Sequence, residues 1–255
     1  MSKIKPTFCG ESVVGYMEKA LAEAEKKKVE VKEGINPLKS KANIDLSNYL
    51  IIPGTNSCIV KIEEDWTKGK EYEPSHKIVL ERGLEVPTAA IFTSHLINII
   101  NAYNNKLDVY QADGNKISRE ELENIYKHLT TAHINGGAWT WLNGKFLQGS
   151  GFNNFDLETI TGLDSNGNLT TKREPLLECL FEDCYVDLEF NKQGFPIKKS
   201  RKQEYVQGKN IYFWYPRENC VARYVADSGR SYLRCDRNPY YSYSSLGVRA
   251  SFQRS

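Results

Sequence analysis

Apolar residues fall in short runs along the chain, and their spacing predicts the elements. Across residues 11–28, Val14, Met17, Leu21 and Ala24 recur every three or four positions with Glu and Lys opposite. That is the pattern of an amphipathic helix, closed by a basic cluster at 26–28. Two apolar runs, Tyr49-Leu50-Ile51-Ile52 and Cys58-Ile59-Val60-Lys61-Ile62, flank Pro53-Gly54-Thr55-Asn56 and predict a hairpin. The short run Ile78-Val79-Leu80 reads as a strand. Pro87-Thr88 then opens a helix through Ile100, with Phe92, Leu96 and Ile99 at helical spacing. Asp113-Gly114 marks a turn. Ser118-Arg119-Glu120-Glu121 is a capping box that starts a second helix, with Leu122, Ile125 and Leu129 facing inward.

After Ala132 the pattern shortens to strands and turns. The turn signals are Asn135-Gly136-Gly137, Asn143-Gly144, Asp164-Ser165-Asn166-Gly167-Asn168 and Gln193-Gly194, and no helix is expected from Gly136 onward. Two helices set among strands, followed by a long β-rich half, predict an α+β fold. Residues 66–255 form the expected main domain. Residues 1–65, a helix and a hairpin, either belong to it or serve as an attachment element.

Composition narrows the function classes. A chain of 255 residues with 40% hydrophobic and 26% charged residues is ordinary for a globular protein, and its net charge of +2 implies neither nucleic acid nor a membrane surface as partner. No run of eighteen apolar residues is present, so no membrane insertion is expected. The first ten residues lack the apolar core of a signal peptide, so export by that route is not expected. Six cysteines are scattered without CxxC spacing, which argues for free thiols over zinc and leaves a Cys220–Cys235 bridge open.

Catalytic and metal motifs are sparse. Asp164-Ser-Asn-Gly-Asn could begin a calcium loop, but its twelfth position is Pro175 where an acidic residue is needed, so a hairpin turn is the expectation. His76, His95, His128 and His133 show no metal-ligand spacing, and there is no GxSxG, P-loop or GxGxxG. No cofactor and no metal are expected, and no catalytic residue is assigned. Trp139 and Trp141 share one face of a strand, where core packing is favoured over a ligand platform.

The tail is built from different material. From residue 211 onward there are seven Tyr, seven Ser and seven Arg, with no Lys, although Lys outnumbers Arg by 23 to 11 overall. Those seven Arg face only Glu218, Asp227 and Asp236, so this segment carries +4. Between Asn219 and Ser245 there is no Lys, Glu, Gln, Met or Trp, types that fill 57 positions of the chain. Tyr and Arg offer large contact area, and Ser and Asn adaptable hydrogen bonds, as in antibody combining sites. On composition alone a Tyr-rich edge strand explains the tail equally well.

From Arg230 the sequence runs Arg-Ser-Tyr-Leu-Arg234-Cys-Asp-Arg-Asn-Pro239, then six residues, then Leu246-Gly247-Val248-Arg249. This resembles the C-terminal signature of the formylglycine-generating-enzyme type of C-type lectin fold, with Val248 where that family has Phe. In the enzymes of the family, two cysteines precede the signature Arg by eight and thirteen residues. Those positions are Ala226 and Val221 here, and Cys220 is one place away from the second. The enzyme reading, a formylglycine-generating or related metal-dependent sulfur chemistry, is weakened accordingly.

The other users of that fold end are the variable proteins of diversity-generating retroelements, which retarget phages, viruses and microbes to new surface ligands. Adenine-directed copying turns Asn codons into Tyr, Ser, Asp, Arg, Cys or Gly but never into the five missing types. The resemblance therefore implies a receptor-binding protein without catalysis, whose variable segment spans about 211–249. It implies an unknown macromolecular ligand, a cell-surface protein or glycan, contacted by Asn219, Tyr224, Asp227, Ser231, Tyr232, Asp236, Arg237, Asn238, Tyr240, Tyr241, Ser242, Tyr243, Ser244 and Ser245. Leu246, Gly247, Val248, Arg234 and Pro239 are the implied framework. Where the family often has Gly-Gly, this chain has Pro216-Arg217, so Tyr212, Trp214 and Tyr215 fit either class.

Overall fold

The computed structural model describes residues 44–131 and 137–254, together with the backbone of two short antiparallel strands, β1 (Thr7–Phe8) and β2 (Glu11–Ser12). The chain divides into two compact units, residues 1–39 and 40–255. Apart from β2, the helix expected over 11–28 lies outside the described residues, as do His133 and Asn135-Gly136. The second unit is α+β.

Its first element is the predicted hairpin, β3 (Tyr49–Ile51) with β4 (Ser57–Val60), paired Tyr49↔Val60 through Ile51↔Cys58. Gly54 takes φ +76° in the turn, a conformation that costs glycine nothing. The last strand, β12 (Ser251–Gln253), returns from the far end of the sequence to pair with β4 and complete a three-stranded sheet.

Three helices follow the hairpin instead of the two expected. Ile78-Val79-Leu80 lies inside helix α1 (Tyr72–Glu81), which corrects the strand reading. A β-branched pair favours strands locally, but Tyr72, Ser75, His76 and Val79 are the buried positions, an i, i+3, i+4, i+7 stripe that only a helix can turn inward. Helix α2 (Ala89–Asn105) runs five residues past the expected end at Ile100 and is capped by the Thr88 hydroxyl, which accepts from Ile91 N–H at 3.3 Å. Helix α3 (Arg119–Thr130) starts as predicted, with Ser118 Oγ accepting from Glu121 N–H at 3.1 Å and Leu122, Ile125 and Leu129 buried.

The β-rich half forms a seven-stranded sheet from β5 (Trp139–Gln148), β6 (Phe155–Leu163), β7 (Leu169–Pro175), β8 (Cys184–Asp187), β9 (Asn210–Trp214), β10 (Val221–Asp227) and β11 (Arg230–Arg237). Strand order is β7-β6-β5-β10-β11-β9-β8, antiparallel except for the parallel pair β11/β9. Asn143-Gly144, read as a turn signal, sits in the middle of β5. Tertiary contacts explain this. The Asn143 amide bonds both Ile160 N–H (2.8 Å) and its carbonyl (2.7 Å), while Gly144 lets Leu157 and the Tyr72 hydroxyl approach closely. Asp164–Asn168 is the β6–β7 hairpin turn, with Asp164 Oδ1 accepting from two backbone N–H groups.

One sheet face packs against α2 and α3. Phe92, Leu96, Ile99, Leu122, Ile125 and Leu129 interlock with Leu142, Phe146, Ala222, Tyr224, Ala226, Leu233 and Cys235 in one core cluster. Strand alternation sends the intervening residues Arg223, Val225, Tyr232, Arg234 and Asp236 to the opposite face.

Candidate functional site

The stretch after β11 is where the chain changes from surface to interior within one peptide bond. Tyr240, Tyr241, Ser242, Tyr243, Ser244 and Ser245 are all exposed, with Tyr240 at 73%. Leu246, Gly247, Val248, Arg249 and Ala250 are all buried. The exposed loop is pinned at both ends to the start of α1 and the segment just before it. Tyr72 N–H donates to the Pro239 carbonyl at 2.9 Å, and Gly69 N–H to the Leu246 carbonyl at 2.9 Å.

Beneath it the frame is dense. Gly247 exchanges backbone bonds with Trp139 (2.9 Å) and Trp141 (3.0 Å), Val248 N–H donates to Thr67 Oγ1 (2.8 Å), and Arg249 N–H donates to Thr140 Oγ1 (2.8 Å). A Cβ on Gly247 would stand 2.7 Å from Thr67 Oγ1, so the close approach requires glycine. Of the tryptophan pair expected to pack in the core, Trp141 is fully buried, its Nε1–H donating to the Lys70 carbonyl at 3.1 Å, whereas Trp139 is half-buried.

Arg249 does not alternate outward from Leu246 and Val248. It is completely buried, 3.3 Å from Glu63 Oε1, and it donates to the Lys61 carbonyl and to His128 Nδ1 (2.9 Å). Because arginine can only donate, His128 accepts at Nδ1 and is the neutral Nε2–H tautomer. Burial, followed by the Arg249 charge, lowers the His128 pKa to about 4. A cleft of about 660 Å³ lies beside this cluster, lined by Lys61, Glu63, Lys68, His128, Ser244 and Ser245 among others. A second cleft of about 660 Å³, between α1 and the β6–β7 hairpin, includes none of the candidate contact residues.

The loop borders the outer face of the sheet. Tyr243 stands edge-on to Trp139 at 6.1 Å and tilted against Tyr241 at 5.7 Å. Parallel pairing of β11 with β9 sets Tyr232 opposite Tyr212 and Arg234 opposite Trp214. The result is an aromatic row, Tyr185–Tyr212 (4.9 Å), Tyr212–Trp214 (5.5 Å) and Tyr212–Tyr232 (6.4 Å), with the Arg234 guanidinium 4.5 Å over Trp214. Arg234 also makes two bonds to Asp236, at 3.2 and 3.1 Å, and Arg237 Nε lies 3.4 Å from the same carboxylate without hydrogen-bond geometry. Tyr, Trp and Arg half-buried on one face are hot-spot material.

The expected contact residues divide. Asn238 and the six from Tyr240 to Ser245 are exposed together, and Tyr232, Asp236 and Arg237 are half-buried on or beside the same face. Tyr224 and Ser231 are not contact residues, and this corrects the sequence expectation. Alternation puts both on the helix face. Tyr224 is 1% exposed with its hydroxyl donating to the Leu129 carbonyl at 2.7 Å, and Ser231 is 1% exposed and bonded to the same carbonyl at 3.2 Å. Asn219 and Asp227 bracket the two ends of β10, about 20 Å apart at roughly 3.3 Å per residue, so they do not share one small patch. Of the framework residues, Leu246, Gly247 and Val248 are interior, whereas Arg234 and Pro239 are half-buried.

Sequence reasoning left Tyr212 and Trp214 unassigned and passed over Arg223. The i, i+2 spacing of Tyr212 and Trp214, matched by Tyr232, Arg234 and Asp236, was the available signal; which face they share was not readable. Tyr215 goes to the other side, packing on Phe181 at 4.7 Å.

Cys220 and Cys235 are unbridged, as are Cys58, Cys179 and Cys184. Burial raises the Cys220 pKa and pushes that of Cys235 well up, so both rest as thiols. Among the described residues no group of three or more His, Cys, Asp and Glu side chains is placed to hold a metal ion. Compared with protein-family models, curated proteins and solved structures, the chain matches none.

Proposed function

We propose that this chain is a ligand-binding protein without catalysis, of C-type lectin-like fold, whose C-terminal surface is rewritten by a diversity-generating retroelement to target phage, viral or microbial surfaces to new receptors. The observation that carries this reading is the junction at residues 245 and 246, where six exposed residues of Tyr and Ser meet five buried frame residues. A surface that tolerates many sequences must make its side chains energetically independent of the fold, and a loop pinned by backbone bonds at both ends meets that need. The half-buried Tyr, Trp and Arg of the outer face extend the same surface.

The proposed absence of catalysis is supported by the chemistry at the positions that the resemblance aligns with the enzymes' cysteines. Ala226 and Val221 stand where the related enzymes carry cysteines, and the nearest thiols, Cys220 and Cys235, are held protonated by burial. Metal analysis combined with thiol-dependent oxygen consumption tests this directly: stoichiometric copper or iron with turnover would replace the binding reading. The diversification claim is tested at the gene. A near-copy of the segment coding for residues 219–249, differing at adenines, is expected nearby, and a locus without one removes the claim.

A further inference from the structure

Arg223 is 3% exposed, yet its Nε–H and Nη1–H groups have no hydrogen-bond partner. A buried guanidinium without an oxygen acceptor is costly, so the fold must either compensate it or leave it for something else. Compensation is partial. The guanidinium carbon lies 5.1 Å from the Trp139 ring, 6.0 Å from Trp141 and 6.0 Å from Tyr243, which are cation–π contacts that supply no oxygen acceptor.

The neighbouring charges make the deficit sharper. Arg223 pairs with Arg234 across β10 and β11, and the adjacent carboxylate, Asp236, is already bonded to Arg234 and in contact with Arg237. That carboxylate is thus engaged by two other guanidiniums and makes no hydrogen bond to Arg223 Nε or Nη1. Burial first, and then the Arg234 charge, lower the Arg223 pKa to about 10, so it is still cationic near neutrality. The cover is slight, because Tyr243 is 46% exposed and belongs to the pinned loop whose side chains otherwise face solvent.

We propose that Arg223 is the acid-reading position of this surface, taking the carboxylate of an Asp or Glu side chain on a protein ligand onto its unpartnered guanidinium beside the Trp139–Tyr243 ring pair. A flat monoanion suits a guanidinium buried among aromatic rings, whereas a phosphate dianion would lose more hydration on reaching it. A protein source is favoured because Tyr, Trp and Arg crowded on one face is the composition of protein-interface hot spots. This inference rests on the ligand-binding reading and names the chemistry of its ligand.

The full chain, labelled with nitrogen-15, tests it through the arginine Nε–Hε resonances. Titration with N-acetylglutamate amide is expected to shift the Arg223 resonance saturably. The neutral N-acetylglutamine amide is expected to leave it in place, and Arg223→Lys to abolish the shift while the amide spectrum stays folded. No saturable shift in the wild-type chain overturns the proposal, whether or not the Lys variant folds. So does an equal shift with the glutamine isostere, or a stronger one with glucuronate or inorganic phosphate. The gene-level test of diversification does not involve Arg223, so failure of one leaves the other standing.

Discussion

At the residue scale, the decisive groups are polar and charged side chains that the fold buries. Glu63, His128 and Arg249 form a buried set in which each member meets another, and among the described residues Glu63 is the carboxylate paired with the Arg249 charge. Glu63→Gln leaves that guanidinium buried and unpaired, so urea denaturation should show a loss of about 3–5 kcal/mol. The same cluster gives the protein an acid limit. The folded pKa of His128, about 4, lies below its ordinary value of 6.5, so the unfolded chain binds the proton more readily. Stability from this group is present above pH 6.5 and is lost as pH falls toward 4, by roughly 3 kcal/mol at one pKa unit per 1.4 kcal/mol. His76, lowered to about 3 by burial, adds in the same direction. Thermal melts between pH 7 and pH 4 should fall steadily, and His128→Gln should flatten that slope.

At the element scale, local signals succeed where one element satisfies itself. The Ser118 and Thr88 caps and the PGTN and DSNGN turns were all legible because the partner lies within a few residues. They mislead where a distant element decides, as when a helical burial stripe overrode Ile78-Val79-Leu80 and when Asn143-Gly144 became the middle of a strand. Gly194 combines both kinds of constraint. It has φ +87°, and a Cβ there would stand 2.2 Å from the Ala89 backbone at the start of α2. Gly194→Ala should cost more than the ~1 kcal/mol of a positive-φ substitution alone, whereas Gly54→Ala, with open space around it, should stay near that value. Comparing the two melting midpoints checks the difference.

At the scale of the whole molecule, the consequence is a division of labour between surface and frame. Replacing Tyr240, Tyr241, Ser242, Ser244 and Ser245 together by other polar residues should leave stability within about 1 kcal/mol, since exposed substitutions rarely exceed ±0.5 kcal/mol each. Leu246→Ala, one residue further on and fully buried, should cost about 2–5 kcal/mol. Calorimetry on the two variants measures the contrast directly. Equal losses would mean that the loop holds the fold together and would remove the basis for a diversified surface.

The amino-acid order by itself determined the α+β class, the two capped helices, the hairpins and the abrupt compositional change toward the C-terminus, because each depends on neighbours a few bonds away. The resemblance of the C-terminal signature implied Leu246, Gly247 and Val248 as framework, and these residues are interior. What only the tertiary structure decided is phase and partnership. A strand's alternation says that adjacent residues face opposite ways but not which way is inward. The helix layer over β10 and β11 settled it, taking Tyr224 and Ser231 inside and turning Arg223, Tyr232 and Arg234 out. The parallel pairing that sets Tyr212 and Trp214 beside them joins segments some twenty residues apart, and no local pattern encodes that contact.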